Sequence, residues 1–311
     1  MFFSSAALLA QAPNPSAPSI RVQVDQVNVG VIVTDQRGRF VEDLHREDFH
    51  VFDNNVEQPL AGFTSIDGPA QVLLLVESGP AVYLLEGSHL AAVSTLLNGL
   101  SSDDRIAMAT YADTPHFIVD FTADKSVALA SLNQLHFNLG STNLNLSSTL
   151  ASILDWLAPL QGKKTIVLLS TGVDTSSPEV IDTVFARIKL ADIRIFTLSL
   201  SGSLRGSPPP TKRKNKDATP APADTLFAEA DAELRALAQS TGGRWYFPRT
   251  SAEFKTACAE IAQLVRHEYS LSFTPPAHDG AIHAIDVRIS TPGAQLSTFR
   301  MDHRGAYLAP Q

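Results

Sequence analysis

The sequence predicts an α/β protein: a doubly wound, mostly parallel sheet inserted into a β-sandwich built from the N- and C-terminal segments. Three observations carry this expectation. Continuous apolar strands alternate with helical patterns across residues 68–264. Short alternating strands without helical periodicity fill residues 20–67, and the same β pattern returns over residues 265–311. Neither flank holds enough strands to close a sandwich alone, and unpaired edges are costly, so the two flanks are expected to pair.

The elements follow in order. In "VNVGVIVTD", Val27, Val29, Val31 and Val33 share one face by two-residue alternation. "FHVFD" and "PLAGFTSI" read as strands around the turn "DNN". "QVLLLVE" is an unbroken apolar run, the pattern of a strand buried on both faces. "SHLAAVSTLLNGL" is helical, with Ser88 as its expected N-cap and Gly99 near its end. "RIAMATYA" and "HFIVDFTA" suit a hairpin-like edge pair. "KSVALASLNQL" and "LNLSSTLASILDWLAPL" are helical. "KKTIVLLST" and "DIRIFTLSL" are buried strands, and "PEVIDTVFARIKLA" is a helix with proline at its start. "DTLFAEADAELRALAQSTGG" is a helix stopped by glycine. "RWYFPR" is a short strand, and "SAEFKTACAEIAQLVRH" a last helix, with Thr250 and Glu253 at capping-box spacing.

Composition bounds the function. Of 311 residues, 44% are hydrophobic and 18% charged, enough for a sizeable core. The net charge of −8 argues against a nucleic-acid partner. The one cysteine, Cys258, excludes an internal disulfide and reads as a small core residue. No apolar run is long enough to predict a membrane-spanning helix. Residues 1–19 hold a short apolar run, then Ala10-Gln11-Ala12, then a Pro/Ser-rich spacer. This reads as a signal-like or disordered leader and predicts export to the periplasm, cell surface or medium.

Residues 201–224 are rich in proline, serine and charge and are expected to form a disordered loop. The loop carries Lys212, Arg213, Lys214 and Lys216 and leaves the sheet at the carboxyl ends of the strands, the edge where open α/β sheets bind ligands.

Other chemistry finds little support. No nucleophile elbow occurs, the histidines lack metal spacing, and His278 and His283 read as surface residues. "TGG" at 241–243 ends a helix rather than opening one, so it is no phosphate loop. Asp103-Asp104 reads as a cap on a helix–strand connection rather than a catalytic pair.

Four stretches resemble a von Willebrand factor type A domain in order and spacing. "VLLLVESG" stands where such domains have the strand leading to D-x-S-x-S. "GSTNL" resembles G-G-T-x-L, "TIVLLSTGVDTS" resembles a strand ending in L-S-D-G-x-D-T, and "TGGRWYFP" resembles the T-G-G strand near the domain's end. "RVQVDQVNVGVIVTDQRGRFVEDLHREDFHVFDNN", "RHEYSLSFTP" and "RGAYLAP" are similar to the framing pieces of the VWFA-related acidobacterial family. The resemblance implies a metal-ion-dependent adhesion site used to bind proteins, with hydroxyls and carboxylates around Mg²⁺. Carried onto this chain, the motif aspartate falls on Glu77, and the serines fall on Gly79 and Ala81. Sliding the register by one recovers Ser78 but loses the acid. The second-loop threonine is Thr142, and the third-loop aspartate falls on Thr171, with Asp174 three residues on. The expectation is a degenerate site without tight Mg²⁺, on a non-enzymatic interaction module for a protein partner of unknown identity. The alternative is a metal-assisted adhesion domain using Glu77, Ser78, Thr142 and Asp174.

Overall fold

The computed structural model describes residues 26–83, 86–134, 143–205, 222–290 and 299–311. The leader (1–19), Thr142 and the basic residues Lys212, Arg213, Lys214 and Lys216 lie outside the described residues. In chain order come β1 (Val27–Thr34), β2 (Phe49–Asp53), β3 (Val56–Gln58), β4 (Gly62–Asp67), β5 (Gln71–Glu77), α1 (Pro80–Tyr83), α2 (Glu86–Gly99), β6 (Arg105–Tyr111), β7 (Pro115–Thr122), α3 (Lys125–Ser131), α4 (Leu146–Leu157), β8 (Lys164–Ser170), α5 (Pro178–Leu190), β9 (Arg194–Ser199), α6 (Ser201–Leu204), α7 (Pro222–Ser240), β10 (Trp245–Tyr246), α8 (Ser251–Leu264), β11 (His267–Phe273), β12 (Ile282–Ile289), β13 (Arg300–Asp302) and β14 (Ala306–Leu308).

A six-stranded sheet runs β10-β9-β8-β5-β6-β7, parallel except for the antiparallel edge strand β7. The apolar run of β5 explains its central place. Val72, Leu74 and Val76 face one core with residues of α2, α3 and α8. Leu73 and Leu75, pointing the opposite way by the two-residue period, face a second core with residues of α4, α5 and α7. The expected doubly wound α/β architecture is therefore present. Strand order reverses beside β5, whose neighbours are β6 and β8, so the carboxyl ends of β5 and β8 form the switch point where such sheets place ligands.

Two four-stranded antiparallel sheets, β13-β1-β11-β4 and β14-β12-β2-β3, mix strands from both ends of the chain. Val29 of β1 faces Leu271 of β11, and Val51 of β2 faces Val287 of β12. The sheets share one apolar cluster containing Val27, Val29, Val31, Val33, Tyr269, Leu271 and Val287. Ile32, on the opposite face of β1, joins the core of the six-stranded sheet instead. The β2–β3 turn places Asn54 (φ 47°) and Asn55 (φ 67°) in the left-handed region, where the side chain of asparagine lowers the cost.

Local expectations fare unevenly. Thr250 caps α8 by accepting the Glu253 N–H, but Glu253 accepts from Arg249 N–H, one residue further back than a closed capping box requires. Ser88 sits inside α2 rather than before it, because the helix already begins at Glu86. Both ends of the expected 201–224 loop are helical. Ser201–Leu204 forms a helical turn, and α7 starts at Pro222, where proline's fixed φ suits a first helical turn. Arg205 is also tied down, by Asp231 and Ser201. His283 is buried, not a surface residue. Its Nδ1 lies 2.7 Å from Asp53 Oδ1 and its Nε2 3.3 Å from Asp279 Oδ2. The Asp53 hydrogen bond holds the imidazole above its ordinary pKa. Cys258 lies in the core as expected, and burial pushes its thiol up to about 12. Asp104 acts as the expected cap, accepting from Ala70 and Ser101 N–H groups.

Candidate functional site

The candidate site lies at the carboxyl ends of β5, β6 and β8. The middle of each strand is apolar and its last residue is polar, so the three polar ends meet at this edge. Glu77 ends β5, Tyr111 ends β6 and Ser170 ends β8. All three are fully buried or nearly so, with Glu77 at 0% exposure.

Glu77 Oε2 gathers the donors. Thr171 N–H reaches it at 2.7 Å, Thr171 Oγ1–H at 2.8 Å and the Ser170 hydroxyl at 3.0 Å. The Tyr111 hydroxyl lies 3.3 Å from the same oxygen and 2.6 Å from Ser170 Oγ. Ser170 Oγ also accepts from Gly172 N–H at 2.8 Å. Glu77 Oε1 is buried with no hydrogen-bond partner among the described residues. Burial outweighs these donors and raises the Glu77 pKa above the ordinary glutamate range. Burial, then the adjacent Glu77 charge, raises Tyr111 well above its usual value.

The other sequence-predicted residues sort into three groups. Thr171 joins Glu77 directly. Ser78 lies beside the site but turns its hydroxyl to Tyr111 C=O at 2.9 Å, and its N–H donates to the same oxygen at 2.7 Å. Gly79 is buried; a Cβ there would stand 3.5 Å from Glu77 Oε1 and 2.8 Å from a Leu144 methyl. Ala81 lies in α1. Asp174 does not join Glu77 in a hydrogen bond. Its Oδ2 accepts from Ser147 N–H at 2.7 Å and its Oδ1 from Ser176 N–H at 2.9 Å, which pins the β8–α5 loop to the start of α4. Its charge is felt nearby: burial first, then Asp174 and Glu229, raise the Glu233 pKa.

Tyr111 and Ser170 escaped the sequence reading. The signal was available, since "TYA" and "LLST" are the first polar residues after apolar strands that end at one edge. The role of "TGG" was also missed. Gly242 has φ 70°, and a Cβ there would meet the His303 backbone at 2.6 Å. A Cβ on Gly243 would stand 1.9 Å from Ile195 C=O. Only glycine lets these backbones approach so closely.

A family model described as the von Willebrand factor type A domain matches residues 87–256, more than half of the chain. The chain belongs to the von Willebrand factor type A domain family. The matched part of this type A domain begins downstream of the Glu77 loop and takes in Thr142, Thr171 and Asp174. No curated protein matches. Among solved structures, the chain is similar to a von Willebrand factor type A protein from Catenulispora acidiphila, at 12% identity and TM-score 0.48, covering 85% of this chain and 74% of that one. It is also similar to the manganese-loaded TRAP protein of Plasmodium vivax, at 13% identity and TM-score 0.45, covering 85% and 100%. An aerotolerance-related membrane protein from Bacteroides fragilis, with multiple mutations to serines, is similar at 16% identity and TM-score 0.45, covering 64% and 98%. Among the described residues, no helix of the type A domain or its flanks is long and apolar enough to cross a membrane, and no group of three or more His, Cys, Asp or Glu is placed to hold a metal ion.

Proposed function

We propose that this chain is a non-enzymatic, exported interaction module that meets a protein partner at the carboxyl edge of its type A domain without a tightly held Mg²⁺. The observation that carries this reading is the state of Glu77. At the position where the family resemblance puts the metal site's first aspartate, Glu77 spends Oε2 on donors from the end of the neighbouring strand β8. The remaining inventory supports the same reading. Gly79, Ala81 and Thr171 stand where the resemblance places two serines and an aspartate, which removes two hydroxyls and one charge from a shell that Mg²⁺ needs nearly octahedral. Asp174 is committed to backbone N–H groups.

The domain organisation belongs to the same proposal. Residues 20–67 and 265–311 form a β-sandwich frame around an α/β insert at 68–264. Cross-pairing of β1 with β11 and of β2 with β12 supports it, as does the shared apolar cluster. The insert is then joined to its frame by two chain crossings, a semi-rigid mount for a binding edge. The leader at 1–19 supports export, and the basic residues 212–216 extend the contact surface.

A metal-assisted adhesion domain is the second reading, and one observation favours it. Glu77 Oε1 is buried without a hydrogen-bond partner among the described residues, which is costly unless something meets it. Immobilised full chain incubated with a native envelope extract, with and without EDTA, separates the two. Retention of a defined protein that EDTA does not alter is expected. Retention abolished by EDTA and restored by Mg²⁺ would favour the metal-assisted reading.

A further inference from the structure

The amino end of the six-stranded sheet holds a second concave region, away from Glu77. Lys164 opens β8 and Arg194 opens β9, while β1 and β11 pass beside them. Between these elements lies a cleft of about 410 Å³. Its charged lining is Lys163, Lys164, Arg194 and Arg304 against Asp192 and Glu268.

Four cations face two carboxylates, so the lining carries an excess of positive charge. Glu268 is already shared, with Arg194 at 3.1 Å and Lys163 at 3.5 Å. Lys164 Nζ donates to Leu160 C=O, at 3.2 Å. Arg304 donates through one terminal nitrogen to Asn28 C=O, while its Nε is buried with no hydrogen-bond partner among the described residues. Burial holds both Lys163 and Arg304 below their ordinary pKa values. A guanidinium with an idle, buried N–H is costly until an acceptor reaches it. Clefts between packed modules are common ligand sites, and this volume falls in the range of about 300–1,000 Å³ typical of them.

We infer that this cleft binds a small molecule bearing an oxyanion, a carboxylate or phosphate group, with Arg304 and Lys164 as its principal donors. The chemistry is that of charge-assisted hydrogen bonds, in which a guanidinium offers two parallel donors to two oxygens of one anionic group. The site is independent of the edge at Glu77 and needs no partner protein.

Calorimetric titration of the full chain at low ionic strength tests this, with sodium phosphate in one arm, disodium succinate in another and sodium chloride at matched ionic strength as reference. A saturable one-to-one isotherm is expected for at least one oxyanion, and the arm that gives it identifies phosphate or carboxylate as the preferred group. Arg304→Gln is expected to weaken it by at least about tenfold. Lys164→Gln, a milder change that decides the matter if the first variant misfolds, is expected to weaken it by about threefold. Lys255→Gln, on the exposed side of α8, should leave affinity unchanged. Failure of both anions to saturate, or affinity unmoved in the folded Arg304 and Lys164 variants, would overturn the inference.

Discussion

Glu77 and Glu268 are both glutamates shielded from water near the same six-stranded sheet, but at opposite ends, and their partners differ in kind. Glu268 is met by Arg194 and Lys163, cations that match its charge. Glu77 is met by two hydroxyls, a backbone N–H and a phenol, all neutral, and its Oε1 has no hydrogen-bond partner among the described residues. The amino end therefore behaves as a fastener. Arg244 strengthens it, donating to Asp302 at 2.7 Å, Glu260 at 3.0 Å and Thr34 at 2.7 Å, and so ties the α/β region to β1 and β13. The carboxyl end stores an uncompensated acid at the place where ligands meet such sheets. Glu268 is neutralised from within and helps hold the molecule together, whereas Glu77 is sealed from solvent among neutral donors.

The comparison breaks most readily at the fastener. Gly243→Ala forces a Cβ against Ile195 C=O and is expected to cost more than about 3 kcal/mol, read from the urea unfolding midpoint. A loss under about 1 kcal/mol would mean that the two backbones can separate freely. Arg244→Met should cost about 2 kcal/mol, since it takes a charged partner from Asp302, which keeps Arg300 at 3.0 Å, and from the partly exposed Glu260. Unfolding of that variant in two separated steps would sharpen the case for Arg244 as the coupling residue.

At the other end the expected effect is one of pH rather than of bulk stability. The folded pKa of Glu77 is raised above its unfolded value, so the folded state binds its proton more tightly. The stability this contributes is fully present below the ordinary glutamate pKa of about 4.5 and is lost as pH rises through the folded value. Melting temperatures measured from pH 4 to pH 8 should therefore fall for the wild type relative to Glu77→Gln as pH rises. Parallel profiles would show that Glu77 does not titrate differently in the fold. The smallest structural effect belongs to deletion of 206–221, which spares Arg205 and α7. It should move stability by no more than about 0.5 kcal/mol while weakening retention of any partner held at the edge.

The sheet was legible in the sequence because both of its signals are local. "QVLLLVE" and "KTIVLLS" are unbroken apolar runs, and each alternates its burial between two cores once folded. That Gly79 and Ala81 carry no hydroxyl could likewise be read from residue type alone. The convergence of Tyr111 and Ser170 on Glu77 could not, because it depends on strand order and register between segments 34 and 93 residues away. The burial of His283 was hidden for a similar reason: Asp53, its partner on β2, lies 230 residues earlier. Glycines 242 and 243 looked like a helix stop, and their second duty as a backbone crossing emerges only when Ile195 and His303 arrive from elsewhere.

In the proposed function the Glu77 edge works without a tightly bound divalent ion. Calorimetric titration of the EDTA-stripped full chain with Mg²⁺ and then Mn²⁺ tests it most directly. No stoichiometric heat in the micromolar range is expected for either ion, and the same trace is expected for Glu77→Gln. A one-to-one micromolar isotherm that Glu77→Gln abolishes would contradict it.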